Sequence, residues 1–426
     1  MAPPLRHNRR RTATAEDALI SLPPDVLDGI LTRLGLRDAV RTSALSRAWR
    51  RRWESLPSLD ISFPFHDGAA ALAAVDAVLL RCPGRVRSFN AHVDGKLAAR
   101  RAQDWVILLS RRGVESLVLS SPFDRRFPLH SSVFSCDRLT YLDLFSCDVP
   151  PLPLDFAGFL HLKNLILDHV WLQEGGEYQL EEIIDNGDNS PLLQFLVFSG
   201  VFIAGDDFIS WVIRAPNLRH LTISSPDDYG WNLFDLPLLR SVVIDLWKYL
   251  NGRDFAKFIG QLVHVRKLHL DLSYESPDGA KILETLPCTF HSLKSLKLYM
   301  EFGELPPILS TFCLLRNAPN LEKLKIVNTG NNEQKVEANG SFQIAQWTGG
   351  MCTNLQILRM AGVNWLPNEM TFIELILSKA SLLRTISISH GGGCLISNEN
   401  ALSELLKFKR ASPQAQILFK GKEDGY

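Results

Sequence analysis

The chain has no charge to spare: 46 Lys and Arg balance 46 Asp and Glu. Proteins that hold nucleic acid along their length carry an excess of Lys and Arg, so that class is set aside for the chain as a whole. No run of eighteen apolar residues occurs. The most apolar stretch, AAALAAVDAVLL, is interrupted by Asp76, and no membrane span is expected. The seven Cys form no C-x-x-C pair, which argues against a zinc knuckle and a disulfide framework. Reduced thiols in a cytoplasmic and/or nuclear protein are the expectation. The start, MAPPLRHNRRRTATAED, has no apolar segment of the secretory kind. Residues 1–18 are read as a flexible basic tail, with RHNRRR as a nuclear address the alternative.

Catalytic signatures are missing too. There is no G-x-S-x-G elbow, no H-E-x-x-H and no G-x-x-x-x-G-K-[ST] phosphate loop. SHGGGC at 389–394 has no Lys-bearing helix N-terminus close behind it and reads as a loop. Cys394 has no evident activating cation beside it in the sequence. The eleven His are scattered without metal spacing. The chain is expected to be non-catalytic, with no cofactor and no metal.

What is present is repetition. With 426 residues, 46% of them hydrophobic, a large core is possible. An apolar-x-x-apolar-x-apolar pattern reads VESLVL at 114–119, LTYLDL at 139–144, LKNLIL at 162–167, LQFLVF at 193–198 and LRHLTI at 218–223. It continues as LRSVVI at 239–244, VRKLHL at 265–270, LKSLKL at 293–298, LEKLKI at 321–326, LQILRM at 355–360 and LRTISI at 383–388. VRSFNA at 86–91 fits loosely. From 114 onward the steps are 25, 23, 31, 25, 21, 26, 28, 28, 34 and 28 residues. The pattern resembles an irregular leucine-rich repeat, whose period is ~20–29 residues. The last two apolar positions alternate with a polar one, which is strand periodicity. The resemblance implies a parallel sheet on the concave face of a curved solenoid. Helical patterns such as DDFISWVIRAP, RDFAKFIGQL and FCLLRNAP are expected to cover its other face.

Before the repeats, residues 1–60 hold eleven Arg and no Lys. Within LPPDVLDGILTRLGLRDAVRTSALSRAWRRRWESLP, Ser21 can cap a helix and Pro23 and Pro24 suit its first turn. Leu27, Ile30, Leu31 and Leu34 line one face, Gly35 ends it, and Asp38 lies in the first turn of a second helix. Val40, Ala44, Leu45, Ala48, Trp49 and Trp53 form its stripe, with arginines 41, 47, 50, 51 and 52 mostly opposite. About forty residues are too few to bury all this alone, so an interface is expected.

L-P-x-D-x-L…I-L…L-x-L-R-D-A-V-R-T-S-x-L-S-x-x-W-R-x-x-W resembles the F-box in the form found in plant proteins. That resemblance implies docking on the Skp-type adaptor of an SCF ubiquitin ligase, and through it on cullin and RING subunits. Carried over by position, the adaptor contacts are Leu22, Pro23, Leu27, Ile30, Leu31, Leu34, Val40, Leu45, Ser46, Trp49 and Trp53. From Cys352 the chain resembles the FBD module of plant F-box proteins, with Leu355, Gly362, Glu374, Leu375, Ala380, Leu383 and Ile386 matching. AQILF reads as a closing strand that protects the sheet edge.

The expected fold is therefore α/β: residues 1–18 tail, 19–60 helical F-box, 61–350 irregular leucine-rich repeats, 351–426 FBD-like region with the last repeats. The expected function is that of a substrate-recognition subunit of an SCF-type ligase, with an unknown protein target. A repeat scaffold, or a small-anion receptor uncoupled from ubiquitin, is the alternative. The residues expected to point from the concave sheet are Val118, Asp143, Ile166, Val197, Thr222, Val243, His269, Lys297, Lys325, Arg359 and Ser387. Four consecutive positions, 269, 297, 325 and 359, are basic, and Lys267 and Lys323 flank them. These six are the expected target-binding residues. Like charges one strand apart repel by about 0.8 kcal/mol even in water, which an acidic or phosphorylated group relieves. Tyr141, Phe145, Phe195, His220 and Tyr299 are read either as binding anchors or as side chains tucked under loops. NTGNNEQKVEANGS at 328–341 reads as a rim loop.

Overall fold

The computed structural model describes residues 23–45, 49–55, 58–63, 69–185, 190–205, 210–248, 254–273, 283, 285–330, 350–392, 394 and 396–420. The tail, Leu22, Ser46 and most of the 328–341 loop lie outside them. The chain divides into two compact units, Met1–Leu142 with Ser146–Phe156, and Asp143–Phe145 with Ala157–Tyr426.

The first unit opens with α1 (Pro24–Leu31) and α2 (Leu36–Arg41). Two points differ from the sequence reading. Helix α1 ends at Leu31, and Gly35 is instead the residue before α2. The second helix stops at Arg41 and passes into single-turn 3-10 segments, Thr42–Ala44 and Arg52–Ser55. The Thr42 hydroxyl donates to the carbonyl of Ala39 at 2.6 Å, a local bond of the kind that competes with the helix. Trp49 and Trp53 therefore reach the interior from turns rather than from a continuous stripe.

Three parallel strands follow in the order β1 (Ser58–Phe63), β2 (Arg85–His92), β3 (Ser116–Ser120). The sequence reading missed β1, whose SLDISF lacks the repeat's spacing. Helices α3 (Ala69–Arg81) and α4 (Gly95–Arg111) connect them. Asp76, which interrupts the apolar run of α3, accepts the indole N–H of buried Trp105 on α4 at 2.8 Å and faces Arg101 at 3.3 Å. Strand β4 (Tyr141–Phe145) lies where the two units divide.

The second unit is built on a parallel sheet. Its strands are β5 (Asn164–Asp168), β6 (Phe195–Ser199), β7 (His220–Asp227), β8 (Ser241–Lys248) and β9 (Lys267–Asp271). They continue as β10 (Ser295–Met300), β11 (Lys323–Asn328), β12 (Ile357–Val363), β13 (Thr385–His390) and β14 (Gln416–Lys420). Neighbours in the chain are neighbours in the sheet. All twelve sequence repeats are strands, and AQILF is the closing one, paired with β13.

Each repeat buries its three apolar positions. In the unit at 293–298, Leu293, Leu296 and Leu298 are all inaccessible, and the same holds at 265–270, 321–326, 355–360 and 383–388. Removal of one such leucine from water stabilises by roughly 1.5–3 kcal/mol. The backbone repeats with the side chains: the N–H groups of Arg266, Lys294, Glu322, Gln356 and Arg384 each donate to the carbonyl of the equivalent residue one repeat earlier.

Return segments include α5 (Gly176–Ile184), α6 (Phe255–Gly260), α7 (Leu305–Arg316), α8 (Pro367–Lys379) and α9 (Asn398–Leu406). DDFISWVIRAP is a correction. Its Trp211–Arg214 is a strand paired in parallel with Trp231–Phe234, and its residues 206–209 lie outside the description. Aromatic and β-branched WVIR suits a strand, and the buried Trp211 indole donates to the carbonyl of Tyr229 at 2.9 Å.

Candidate functional site

At the N-terminal end, nine of the eleven adaptor-contact residues expected from sequence are described, and they differ in burial. Leu27 and Leu31, one helical turn apart, are buried, and so are Trp49 and Trp53, at 3% and 4% exposure. These four form the interior of the helical segment. Val40 is half-buried. Ile30, Leu34 and Leu45 are exposed by 37%, 39% and 54%, and Pro23 is exposed. Val26, which sequence reasoning did not single out, is 46% exposed and stands one turn before Ile30. The apolar arc of α1 is thus covered at Leu27 and Leu31 and open at Val26 and Ile30, with Asp25 and Asp28 on the other side of the helix. An apolar strip left uncovered has the character of an interface. The arginines are less uniform than expected. Arg52 pairs with Asp28 of α1 at 2.8 Å, Arg41 pairs with Asp38 at 3.2 Å, and Arg50 and Arg51 are exposed.

On the sheet, the register brings the basic residues together. Val243, His269, Lys297, Lys325, Arg359 and Ser387 are successive partners across β8 to β13. Two residues earlier on the same face run Ser241, Lys267, Ser295, Lys323 and Ile357. Lys267, Lys323 and Arg359 are exposed; His269, Lys297 and Lys325 are half-buried. The Lys297 ammonium donates to the Tyr299 hydroxyl at 2.9 Å and lies 4.5 Å from the centre of that ring. His269 lies against the same ring, with centroids 5.0 Å apart. Burial, then the charges of Lys297 and Lys325, push the His269 pKa down to about 4. Its Nε2 is buried without a hydrogen-bond partner.

One corner of the patch is acidic. Asp271, buried, accepts from the Ser273 N–H at 2.7 Å and hydroxyl at 2.5 Å. Burial raises its pKa, the two Ser273 bonds lower it, and neighbouring Asp245 raises it again. Phe145 and Phe195 each lie against a histidine ring. Phe195 and His220 are register partners with rings 5.6 Å apart, and Phe145 lies 5.4 Å from His169.

The third arrangement was not legible in sequence. Nδ1 of His390 lies 3.4 Å from the Cys394 sulfur, and its Nε2 lies 2.7 Å from the Asn398 side-chain oxygen. Cys, His and Asn in that order are the parts of a thiol nucleophile. Here, however, the Trp365 indole N–H also reaches Nδ1, at 2.9 Å. An indole N–H only donates, so Nδ1 is the acceptor and Nε2–H donates to Asn398. Nδ1 is thus already engaged by Trp365 where it faces the Cys394 sulfur. Five of the other six Cys are buried, and burial pushes those of Cys136 and Cys352 up to about 12. Among the described residues, no cluster of His, Cys, Asp or Glu is arranged to hold a metal, and no helix is long and apolar enough to cross a membrane.

Comparison with known proteins agrees with this geometry. The F-box domain profile matches residues 19–60, and the profile for the leucine-rich repeats of FBD-associated F-box protein At5g56370 matches residues 102–270. The chain is 28% identical over 430 residues to F-box/FBD/LRR-repeat protein At1g13570 of Arabidopsis thaliana, covering 95% of this chain and 98% of that one. It is 25% identical to FBD-associated F-box protein At5g38590 of the same plant, covering 87% and 93%. F-box/FBD/LRR-repeat protein At3g51530, also from Arabidopsis thaliana, is 23% identical, covering 79% and 76%. Helices that match the F-box, followed by a leucine-rich parallel sheet, go with a substrate-receptor type of role, and the two profile matches together with these relatives support a plant F-box/leucine-rich-repeat protein with an FBD region.

Proposed function

We propose that this chain is the substrate-recognition subunit of an SCF-type ubiquitin ligase in the cytoplasm and/or nucleus. Its F-box residues bind a Skp-type adaptor, and through it cullin and RING subunits, while its repeats hold a target protein. The carrying observation is the uncovered apolar side of α1 and its surroundings, Val26, Ile30, Leu34 and Leu45, inside the F-box match. The chain's own part in ubiquitin transfer is then proximity, supplied by holding the target near a loaded enzyme. Buried Leu27, Leu31, Trp49 and Trp53 support this surface from beneath, and exposed Arg50 and Arg51 border it with positive charge.

The test is co-purification of the full chain with a plant Skp-type adaptor and cullin. Wild type is expected to bring both down. Ile30→Glu with Leu45→Glu is expected to lose both while its thermal unfolding stays within a few degrees of wild type, because both side chains are exposed. Trp49→Ala is expected to lower stability itself, by roughly 3–5 kcal/mol, so its loss of binding is not diagnostic. A folded wild-type chain that brings down no adaptor overturns the reading and leaves a repeat scaffold.

A further inference from the structure

The basic residues of the second unit are gathered, not merely numerous. Strands β9, β10, β11 and β12 place Lys267 and His269, Lys297, Lys323 and Lys325, and Arg359 on one face in continuous register. At ~4.8 Å per strand the row from His269 to Arg359 spans about 14 Å. Among the described residues Lys267, Lys323 and Arg359 form no ion pair, whereas Lys294, one position before β10 proper, pairs with Glu322 at 2.8 Å. The fold thus neutralises a lysine beside the patch, while Lys267, Lys323 and Arg359 on it are exposed. Among the described residues, Asp245 and Asp271 are electrostatic neighbours toward the β8–β9 side of this face, and Asp271 is tied down by Ser273. The cations of β10 to β12 lie away from that corner.

The buried, unpartnered Nε2 of His269 stands at the border of that region. His269 faces Val243 on one neighbouring strand and Lys297 and Tyr299 on the other, with Lys325 beyond and Lys267 and Asp271 on its own strand. An anion placed over this face relieves repulsion among the cations.

We propose that the face of β9 to β12 binds an anionic peptide segment of the captured target. Its carboxylates or phosphates sit over Lys297, Lys325 and Arg359, and the less acidic part of the segment lies toward Asp245 and Asp271. This rests on the receptor reading above and adds the chemistry of the target. A peptide is favoured over nucleic acid because the chain carries no net positive charge and the row lacks the repeated aromatic platforms on which bases stack.

The experiment is fluorescence anisotropy on the full chain with labelled ten-residue probes: alternating Glu-Ser, alternating phosphoserine-Gly, alternating Gln-Ser, and a single-stranded RNA of ten nucleotides. The glutamate probe, the phosphoserine probe or both are expected to bind, and the Gln-Ser probe is not. Binding by phosphoserine alone identifies phosphorylation as the source of charge; binding by both identifies an acidic run. Lys297→Glu with Lys325→Glu is expected to weaken the bound probe roughly 30-fold or more in a chain that still unfolds cooperatively. Lys294→Glu, off the patch, is the control and is expected to change binding less than threefold. Failure of both acidic probes, full affinity in the double variant, or tighter binding of RNA overturns the proposal. Adaptor co-purification is read separately. A chain that binds adaptor but no acidic probe sinks only the anionic-target assignment. The reverse result sinks only the link to the ligase.

Discussion

A residue type alone does not say whether a side chain supports a surface or forms it. Trp49 and Ile30 both lie within the F-box match, yet one is an interior residue and the other is exposed. The difference is which turn carries each and where that turn points. His269 makes the same point electrostatically. Its unfolded pKa is near 6.5, and burial followed by the charges of Lys297 and Lys325 lowers the folded value to about 4. Between those values the unfolded chain holds more protons than the folded one. Stability from keeping His269 neutral is therefore present above about 6.5 and lost as pH falls toward about 4. The imidazole resonances of His269 are expected to titrate near 4 in the wild-type chain and higher in Lys297→Gln. His269→Gln is expected to flatten the fall in urea midpoint between pH 7 and pH 5. A His269 midpoint at the ordinary value in the wild-type chain contradicts this account.

At the scale of elements, the FBD-like region is held by a polar clamp. Glu369, in the first turn of α8 and fully buried, accepts from the backbone N–H of Asn364 at 3.0 Å and of Leu366 at 2.8 Å. It also accepts from the Asn328 side-chain amide of β11 at 2.8 Å. Burial raises its pKa, and these donors oppose the rise. The same Asn328 fixes the end of β12. Gly362 has φ +73°, and a Cβ there meets the Asn328 carbonyl oxygen at 2.6 Å, so only glycine fits. The sequence resemblance picked out Gly362 but passed over Glu369, because nothing in a one-dimensional pattern marks a carboxylate as buried. Glu369→Ala leaves several buried donors unpaired and is expected to cost roughly 2–4 kcal/mol. Glu369→Gln, which keeps an acceptor oxygen, is expected to cost less. Hydrogen exchange in the Glu369→Ala chain is expected to rise first over residues 357–370. Uniform acceleration across the whole sheet, or none, counts against a local clamp.

Across the whole molecule, what was legible in sequence is what repeats. Twelve strands and the closing one followed from three apolar positions per unit, because each unit repeats the same burial. Less was legible where a segment's partner is not its own kind. SLDISF pairs as β1 without the spacing, and WVIR forms a strand because Trp231–Phe234 lies beside it. The six basic residues were legible as a ladder because parallel strands in constant register turn sequence offset into proximity. The Cys394–His390–Asn398 arrangement was not, since its meaning depends on Trp365 arriving from the preceding repeat. A repeat sheet also has an end that its neighbours cannot cover, and β14, paired with β13 alone, stands at that end here. Phe419 stacks parallel to His390, with centroids 5.7 Å apart, and lies 6.4 Å from Trp365. A chain ending at Ala415 removes β14 and moves the open edge from that partly exposed strand to β13, whose Ile386 and Ile388 are buried in the full chain. Open edges recruit other edges. The shortened chain is therefore expected to self-associate at lower concentration than the full one, by light scattering. Because each repeat leans on its neighbours, the loss is expected to fade with distance. Exchange protection falls in 385–390, less in 357–363, and hardly at all in 195–199. If the shortened chain scatters like the full one and keeps its protection at 385–390, β14 is an appendage and β13 caps the sheet unaided.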